Sequence, residues 1–152
     1  MESLEIYGGR NICTCYYTDV DLGALLLERI EPGIDLTHIK NIDDRIQIAA
    51  DLMRKLPQQV ERTHNLPTYS DWIIKAFNRL RDENIAGPRM IYLVNTAEAL
   101  YRTLENKENK VLLHGDLHHY NILQDKNGQW KDIEPKGLIC FEGMETACLV
   151  QQ

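Results

Sequence analysis

The sequence has little that would place the protein in a membrane or on a nucleic acid. It contains no apolar run longer than a few residues, whereas a transmembrane helix needs about 20. The start, MESLEIYGGR, lacks the apolar segment of a signal peptide. Basic residues are too few and too scattered to hold a polyphosphate, since 17 Lys and Arg stand against 23 Asp and Glu, a formal net charge of −6. We therefore expect a cytoplasmic protein that binds neither nucleic acid nor membrane.

The cysteines lack the C-x-x-C spacing of a structural zinc site. The chain has four of them, at Cys13, Cys15, Cys140 and Cys148. We expect small, buried, apolar side chains in a reducing compartment and assign these cysteines no function.

The 152 residues, 43% of them hydrophobic, suffice for one globular core. Residues 4–30 are expected to be strand-rich, because Asn11–Thr18 carries β-branched and aromatic residues and Gly23–Ile30 is largely apolar. These two runs are expected to pair as an antiparallel meander. The turn Glu31–Gly33 contains Pro and Gly and is expected to end any regular element.

Three helices are predicted in the middle of the chain from apolar residues at helical spacing. The first begins after the capping residue Asn41 and ends at Pro57. Thr68 or Ser70 caps the second, and the third runs from about residue 89 to residue 106.

The segment VLLHGDLHHYNIL, residues 111–123, carries the strongest functional signal. His114, Asp116 and Asn121 follow the H-x-D-L-x-x-x-N order of a kinase catalytic loop. That chemistry requires a carboxylate that reaches the acceptor hydroxyl and an amide oxygen that reaches a metal on the nucleotide phosphates. We expect a strand–loop–strand hairpin that holds both groups in one cavity.

HGDLHHYNIL, followed by WKDIEPKGLI, resembles the aminoglycoside phosphotransferase family, most closely its streptomycin 6-kinase and hydroxyurea phosphotransferase branch. The segment LLLERIEPG ahead of the helices is also similar to that branch. The resemblance implies an α+β, protein-kinase-like fold. Residues 1–33 would be a remnant of the small-lobe antiparallel sheet with the hinge, and residues 34–152 a mainly helical large lobe with the catalytic loop at 114–121.

The resemblance also implies roles for individual residues. Asp116 would be the catalytic carboxylate that accepts the proton of the substrate hydroxyl. Asn121 and Glu134 would bind Mg²⁺, and Glu134 stands where the family has an aspartate. ATP would be the phosphoryl donor. His114 would be structural, tying the loop to neighbouring backbone through its ring nitrogens.

A nucleotide-binding hinge is implied at Leu27–Ile30, whose backbone would contact adenine. Glu28, Arg29 and Ile30 are the candidate cofactor-binding residues there. The implied function is ATP-dependent transfer of phosphate to an alcohol group of an aminoglycoside-like antibiotic or related small molecule. The acidic net charge suits a cationic substrate.

The chain departs from the family at three places. It shows no Gly-rich nucleotide loop and no lysine before Lys40. Glu134 replaces aspartate, and its extra methylene matters because Mg²⁺ tolerates little departure from octahedral geometry. Cys140-Phe141 stands where the family tends to have Gly and an acidic residue. We therefore expect a chain truncated at both ends.

Other interpretations of the same residues remain open. The chain could be a catalytically inactive kinase-like remnant or pseudo-kinase. A zinc hydrolase could use His114, His118 and His119. Asp116 and Asn121 could be turn residues, Glu134 a strand-end carboxylate, and the pair Glu28-Arg29 a solvated strand end.

Overall fold

A computed structural model describes residues 2–60, 65–82, 87–106 and 109–146. Cys148 lies outside these ranges. Four α-helices are described: α1 Glu2–Tyr7, α2 Ile42–Lys55, α3 Tyr69–Asp82 and α4 Pro88–Glu105. Seven strands are described: β1 Cys15–Asp19, β2 Ala24–Leu27, β3 Pro32–Asp35, β4 Lys110–Leu113, β5 Ile122–Asp125, β6 Trp130–Asp132 and β7 Leu138–Phe141.

Residues 2–7 form the helix α1, so the expectation of strands is wrong for the first part of the range 4–30. Leu4 and Tyr7 are one turn apart, and both are buried against the core. The helix ends at Gly8, whose amide donates to the carbonyl oxygen of Leu4 at 3.0 Å while its φ is +57°. Only glycine adopts this left-handed conformation without strain.

The predicted meander is confirmed, since β1 and β2 pair antiparallel. The expectation that the Pro-Gly turn would end regular structure is wrong, because β3 begins at Pro32 and pairs with β5. The pairing register shifts between Pro32 and Ile34, and Gly33 has a φ of +69° there. Proline is tolerated at the first residue of a strand, and glycine suits such an irregularity.

The three predicted helices are confirmed. The side chain of Asn41 caps α2 by accepting from the amide of Asp43 at 2.9 Å. Thr68 does the same for α3, since its hydroxyl oxygen accepts from the amide of Asp71 at 3.1 Å. These side chains bond amides that have no partner inside the first turn of a helix.

The strands on either side of the catalytic loop belong to different sheets, so the predicted hairpin is wrong. β4 pairs with β7, whereas β5 lies between β3 and β6. Both faces of β4 are buried: Leu112 packs in one core cluster, and Val111 and Leu113 pack in another. A strand buried on both faces needs apolar residues at successive positions. The loop 114–121 therefore crosses from one sheet to the other.

The core consists of two clusters around that loop. The larger joins Leu4, Tyr7 and Ile12 to residues of the later chain, including Leu112 and Leu117. The smaller joins α4 to β4 and β7. Cys13 and Cys140 are buried free thiols, as expected, and Cys15 is a half-buried one. Across the described ranges, no helix is long and apolar enough to cross a bilayer.

Candidate active site

His114 ties the loop to the strand end that follows β6. The ring is fully buried, and Nε2 donates to the carbonyl oxygen of Ile133 at 2.9 Å. Nδ1 accepts from the amide of Asp116 at 3.3 Å. Burial lowers the pKa of His114 to about 4, so the imidazole is neutral at pH 7. The expected structural role of His114 is confirmed.

These bonds also remove the basis for the zinc hydrolase interpretation. Both ring nitrogens of His114 are engaged with backbone, and a zinc ligand needs one of them free. No three His, Cys, Asp or Glu side chains in the described part of the chain are placed to hold a metal ion together. His118 and His119 therefore lack the partners that a zinc site requires.

Glu145 fixes the start of the catalytic loop through hydrogen bonds to its backbone. Its carboxylate accepts from the amide of His114 at 2.8 Å and from that of Gly115 at 3.1 Å. The side chain is almost completely buried. Burial raises the pKa of Glu145 to about 7, although the two backbone donors act in the opposite direction. This contact fixes the backbone immediately before Asp116.

Asn121 is bonded directly to the backbone of Asp116. Its side-chain Nδ2 donates to the Asp116 carbonyl oxygen at 3.0 Å, from a buried position in the 3₁₀ turn His119–Asn121. The backbone carbonyl oxygen of Asn121 accepts a hydrogen bond from the backbone amide of Ile133 at 2.9 Å. The side chain of Asp116 is 38% exposed, so its carboxylate is accessible although its backbone is held.

Glu134 lies one residue beyond Ile133 and adopts a left-handed backbone with φ of +59°. For a residue other than glycine this conformation costs about 1–3 kcal/mol, and such residues cluster at functional sites. Its side chain is exposed. The bond between Ile133 and Asn121 brings the Glu134 backbone beside the catalytic loop.

Lys136 supplies a cation to this site. Its Nζ lies 3.1 Å from Oδ2 of Asp116. The sequence motifs assign no role to Lys136 or to Glu145. Lys136 lies inside the WKDIEPKGLI segment that carried the resemblance, whereas Glu145 gives no local signal because its partners lie about 30 residues away in the chain.

The three candidate hinge residues line a cavity of about 350 Å³ together with the β5–β6 turn. The lining of this cavity includes none of Asp116, Asn121 and Glu134. The structure therefore groups the site residues in two places: one around the catalytic loop, and one at Glu28, Arg29 and Ile30.

Glu28 is not a solvated strand end. Its carboxylate accepts from the amide and the hydroxyl of Thr14, both at 3.0 Å, and pairs with Lys131 at 2.5 Å. Partial burial acts to raise the pKa of Glu28, but Lys131 and Thr14 outweigh it and the pKa is lowered. Arg29 is exposed and pairs with Glu31 at 3.2 Å, and Ile30 is buried.

A family model described as aminoglycoside/hydroxyurea antibiotic resistance kinase matches residues 2–152. The chain belongs to this family. The predicted membership is thus confirmed.

A curated member, the hydroxyurea phosphotransferase of Kitasatospora aureofaciens, is 30% identical over 151 residues. That match covers 94% of this chain but 43% of the relative, so the chain spans less than half of the relative's length.

Solved structures establish the fold. The choline kinase LicA from Streptococcus pneumoniae superposes with a TM-score of 0.70 at 18% identity, over 97% of this chain and 53% of that one. LicA in complex with AMP superposes with a TM-score of 0.66 at 21% identity, over 99% and 53%. The predicted α+β, protein-kinase-like fold is confirmed.

Proposed function

We propose that this chain carries out ATP-dependent transfer of phosphate to an alcohol group of an aminoglycoside-like antibiotic or a related small molecule. The observation that carries the proposal is the pairing of Asp116 with Asn121: an accessible carboxylate on a backbone that a buried amide holds in place. Phosphoryl transfer needs little covalent chemistry from the protein, so positioning and charge account for most of the catalysis. A rigid loop with an accessible carboxylate meets the first need.

In this proposal Asp116 binds the acceptor hydroxyl and accepts its proton. The remaining loop contacts restrict the motion of that carboxylate. His114 accepts a hydrogen bond from the backbone amide of Asp116, and Glu145 accepts hydrogen bonds from the two backbone amides before it. A misplacement of about 1 Å can cost about 100-fold in rate. The buried bonds around His114 therefore serve the reaction by limiting such displacement.

In the same proposal, Asn121 and Glu134 would hold Mg²⁺. Because Nδ2 of Asn121 donates to Asp116, the amide oxygen is the atom left for a ligand. Glu134 presents an exposed carboxylate next to the backbone that bonds Asn121. Both are oxygen ligands of the kind Mg²⁺ prefers. Mg²⁺ would neutralise charge on the nucleotide phosphates.

The backbone of Glu28, Arg29 and Ile30 would contact adenine. The side chain of Glu28 is occupied by Thr14 and Lys131, so it would hold the hinge rather than bind nucleotide. The AMP complex of the structural neighbour and the hydroxyurea phosphotransferase relative support nucleotide use and a small acceptor. We further propose a cationic acceptor, from the net charge of −6, and a cytoplasmic location.

Nucleotide binding is tested by thermal unfolding of the chain with and without Mg·ATP. A ligand at 100 times its Kd adds about 2.7 kcal/mol of stability. ADP and Mg²⁺ alone serve as controls for the phosphate and the metal. The absence of any shift would favour the inactive remnant instead.

Transfer is tested by following label from [γ-³²P]ATP into streptomycin, hydroxyurea or water. We expect the unmodified chain to transfer label to streptomycin, which carries alcohol and cationic groups. Transfer to hydroxyurea alone would support a phosphotransferase but contradict a cationic alcohol acceptor, because the hydroxyl of hydroxyurea is a neutral N–OH group. Label released only as inorganic phosphate would contradict an alcohol acceptor.

A further inference from the structure

We propose that Lys136 is a catalytic residue whose ammonium group contacts the phosphoryl group during transfer and rests on Asp116 between turnovers. The inference rests on the proposed phosphotransferase function and adds a residue to it. Its starting point is the 3.1 Å distance between Nζ of Lys136 and Oδ2 of Asp116. No other Lys or Arg in the described ranges pairs with Asp116.

The backbone presents Lys136 at this position through bonds on both sides of it. The carbonyl oxygen of Ile133 accepts from Nε2 of His114 at 2.9 Å, and the amide of Gly137 donates to the carbonyl oxygen of His114 at 3.1 Å. The segment 133–137 is thus attached to His114 at both ends. These hydrogen bonds place Lys136 beside the catalytic loop, because His114 lies two residues before Asp116.

Gly137 allows this close attachment. Its φ is +68°, and a Cβ there would lie 2.4 Å from Cβ of Ser3 in α1. A larger residue would push α1 and the segment apart. The backbone beside Lys136 is therefore tightly packed. The side chain of Lys136, by contrast, is 45% exposed and able to move.

Distances place the ammonium within reach of the reaction. A hydroxyl bound to Asp116 lies about 2.6–3.2 Å from the carboxylate, and the phosphorus it attacks lies about 3–3.5 Å further on. A cation on the same carboxylate needs only a small movement to meet a phosphoryl oxygen. The flexible lysine side chain with its compact charge is suited to that movement.

The step itself is a balanced displacement. A lone pair of the acceptor oxygen forms the new bond to the γ-phosphorus, and the bond from that phosphorus to the bridging oxygen breaks with its electrons going to ADP. The hydroxyl proton passes to Asp116. Protonation neutralises the carboxylate, which weakens its hold on Lys136 while negative charge is spread over the phosphoryl oxygens.

The test compares Lys136→Met, Lys136→Arg and the control Lys75→Met, whose lysine is exposed on α3, using Mg·[γ-³²P]ATP with streptomycin, with hydroxyurea and with water. We expect Lys136→Met to lower kcat about 100-fold or more with KM for Mg·ATP changed less than about threefold. Lys136→Arg should retain part of kcat, and Lys75→Met all of it. Because so exposed an ion pair adds little stability, the melting temperature should stay within about 3 °C.

The pH profile separates a contact with phosphate from an indirect effect on Asp116. If Lys136 contacts the phosphoryl group, the plateau of kcat in the pH profile of Lys136→Met should lie below that of the unmodified chain. A displaced acid limb with an unchanged plateau would show that Lys136 acts only through Asp116 and would overturn the inference, as would unchanged kinetics in an active chain. An unmodified chain that neither binds Mg·ATP nor transfers phosphate overturns the proposed function, and this inference with it.

Discussion

The side-chain amide of Asn121 donates to the backbone carbonyl oxygen of Asp116 at 3.0 Å. This bond joins the two residues that the motif pairs only by spacing. It closes the loop across its 3₁₀ turn and directs the amide nitrogen inward. The contact explains why the motif requires an asparagine at a constant distance from the aspartate, since a carboxylate at position 121 could not donate this bond.

Asp116→Asn should remove phosphoryl transfer while leaving the fold intact. The substitution is nearly isosteric, but the amide cannot accept the hydroxyl proton, and loss of a general base costs about 10²–10⁴-fold in rate. Labelled transfer to streptomycin or hydroxyurea measures the rate, and circular dichroism monitors the fold. Transfer at the unmodified rate would contradict the assignment of Asp116.

Glu145→Gln should loosen the catalytic loop. Glutamine has one carbonyl oxygen for the two amides that the carboxylate accepts from, and its own NH₂ would face the second donor. An unsatisfied buried donor costs about 1–3 kcal/mol. Urea unfolding gives the stability, and hydrogen exchange at the amides of His114 and Gly115 localises the change. Glu142→Gln, at an exposed position nearby, is the control.

Glu134→Gly should stabilise the fold but impair metal-dependent activity. Glycine adopts a φ of +59° without the cost that a larger residue bears, a gain of about 1 kcal/mol. The loss of a carboxylate should raise the Mg²⁺ concentration needed for half-maximal activity. Glu134→Asp should leave activity and the Mg²⁺ requirement closer to those of the unmodified chain. A destabilised glycine variant would contradict the strain argument.

Asp132→Asn should flatten the dependence of stability on pH. Asp132 is fully buried, and in the described structure neither carboxylate oxygen has a hydrogen-bond partner. Burial, followed by the nearby charge of Glu145, raises the pKa of Asp132 well above its ordinary 3.8. The unfolded chain therefore loses this proton before the folded one does, so stability falls as pH rises above 3.8.

The contribution of Asp132 to the pH dependence of stability is isolated by urea unfolding of Asp132→Asn and of the unmodified chain from pH 4 to pH 9. Glu145 acts with the same sign, between its ordinary 4.5 and about 7. His114 acts with the opposite sign, because its lowered pKa makes stability rise between about 4 and 6.5. The difference between the two curves removes terms shared by both proteins. Parallel curves would contradict a raised pKa at Asp132.

Local patterns predicted the elements whose stability is local. The helices α2, α3 and α4 follow from apolar spacing, and Asn41 and Thr68 cap the first two by hydrogen bonds that span a few residues. The helix α1 was missed because a short segment has no strong period, and its burial against a distant core decides its conformation.

By itself, the sequence determined the order Asp116 to Asn121, the family and the helices α2, α3 and α4, because each depends on residues close together in the chain. Tertiary structure alone decided that the strands flanking the loop enter different sheets, that Glu145 bonds the backbone before Asp116, and that Lys136 meets its carboxylate. Those contacts join residues that lie well apart along the chain. Packing brings them together, and no local pattern records it.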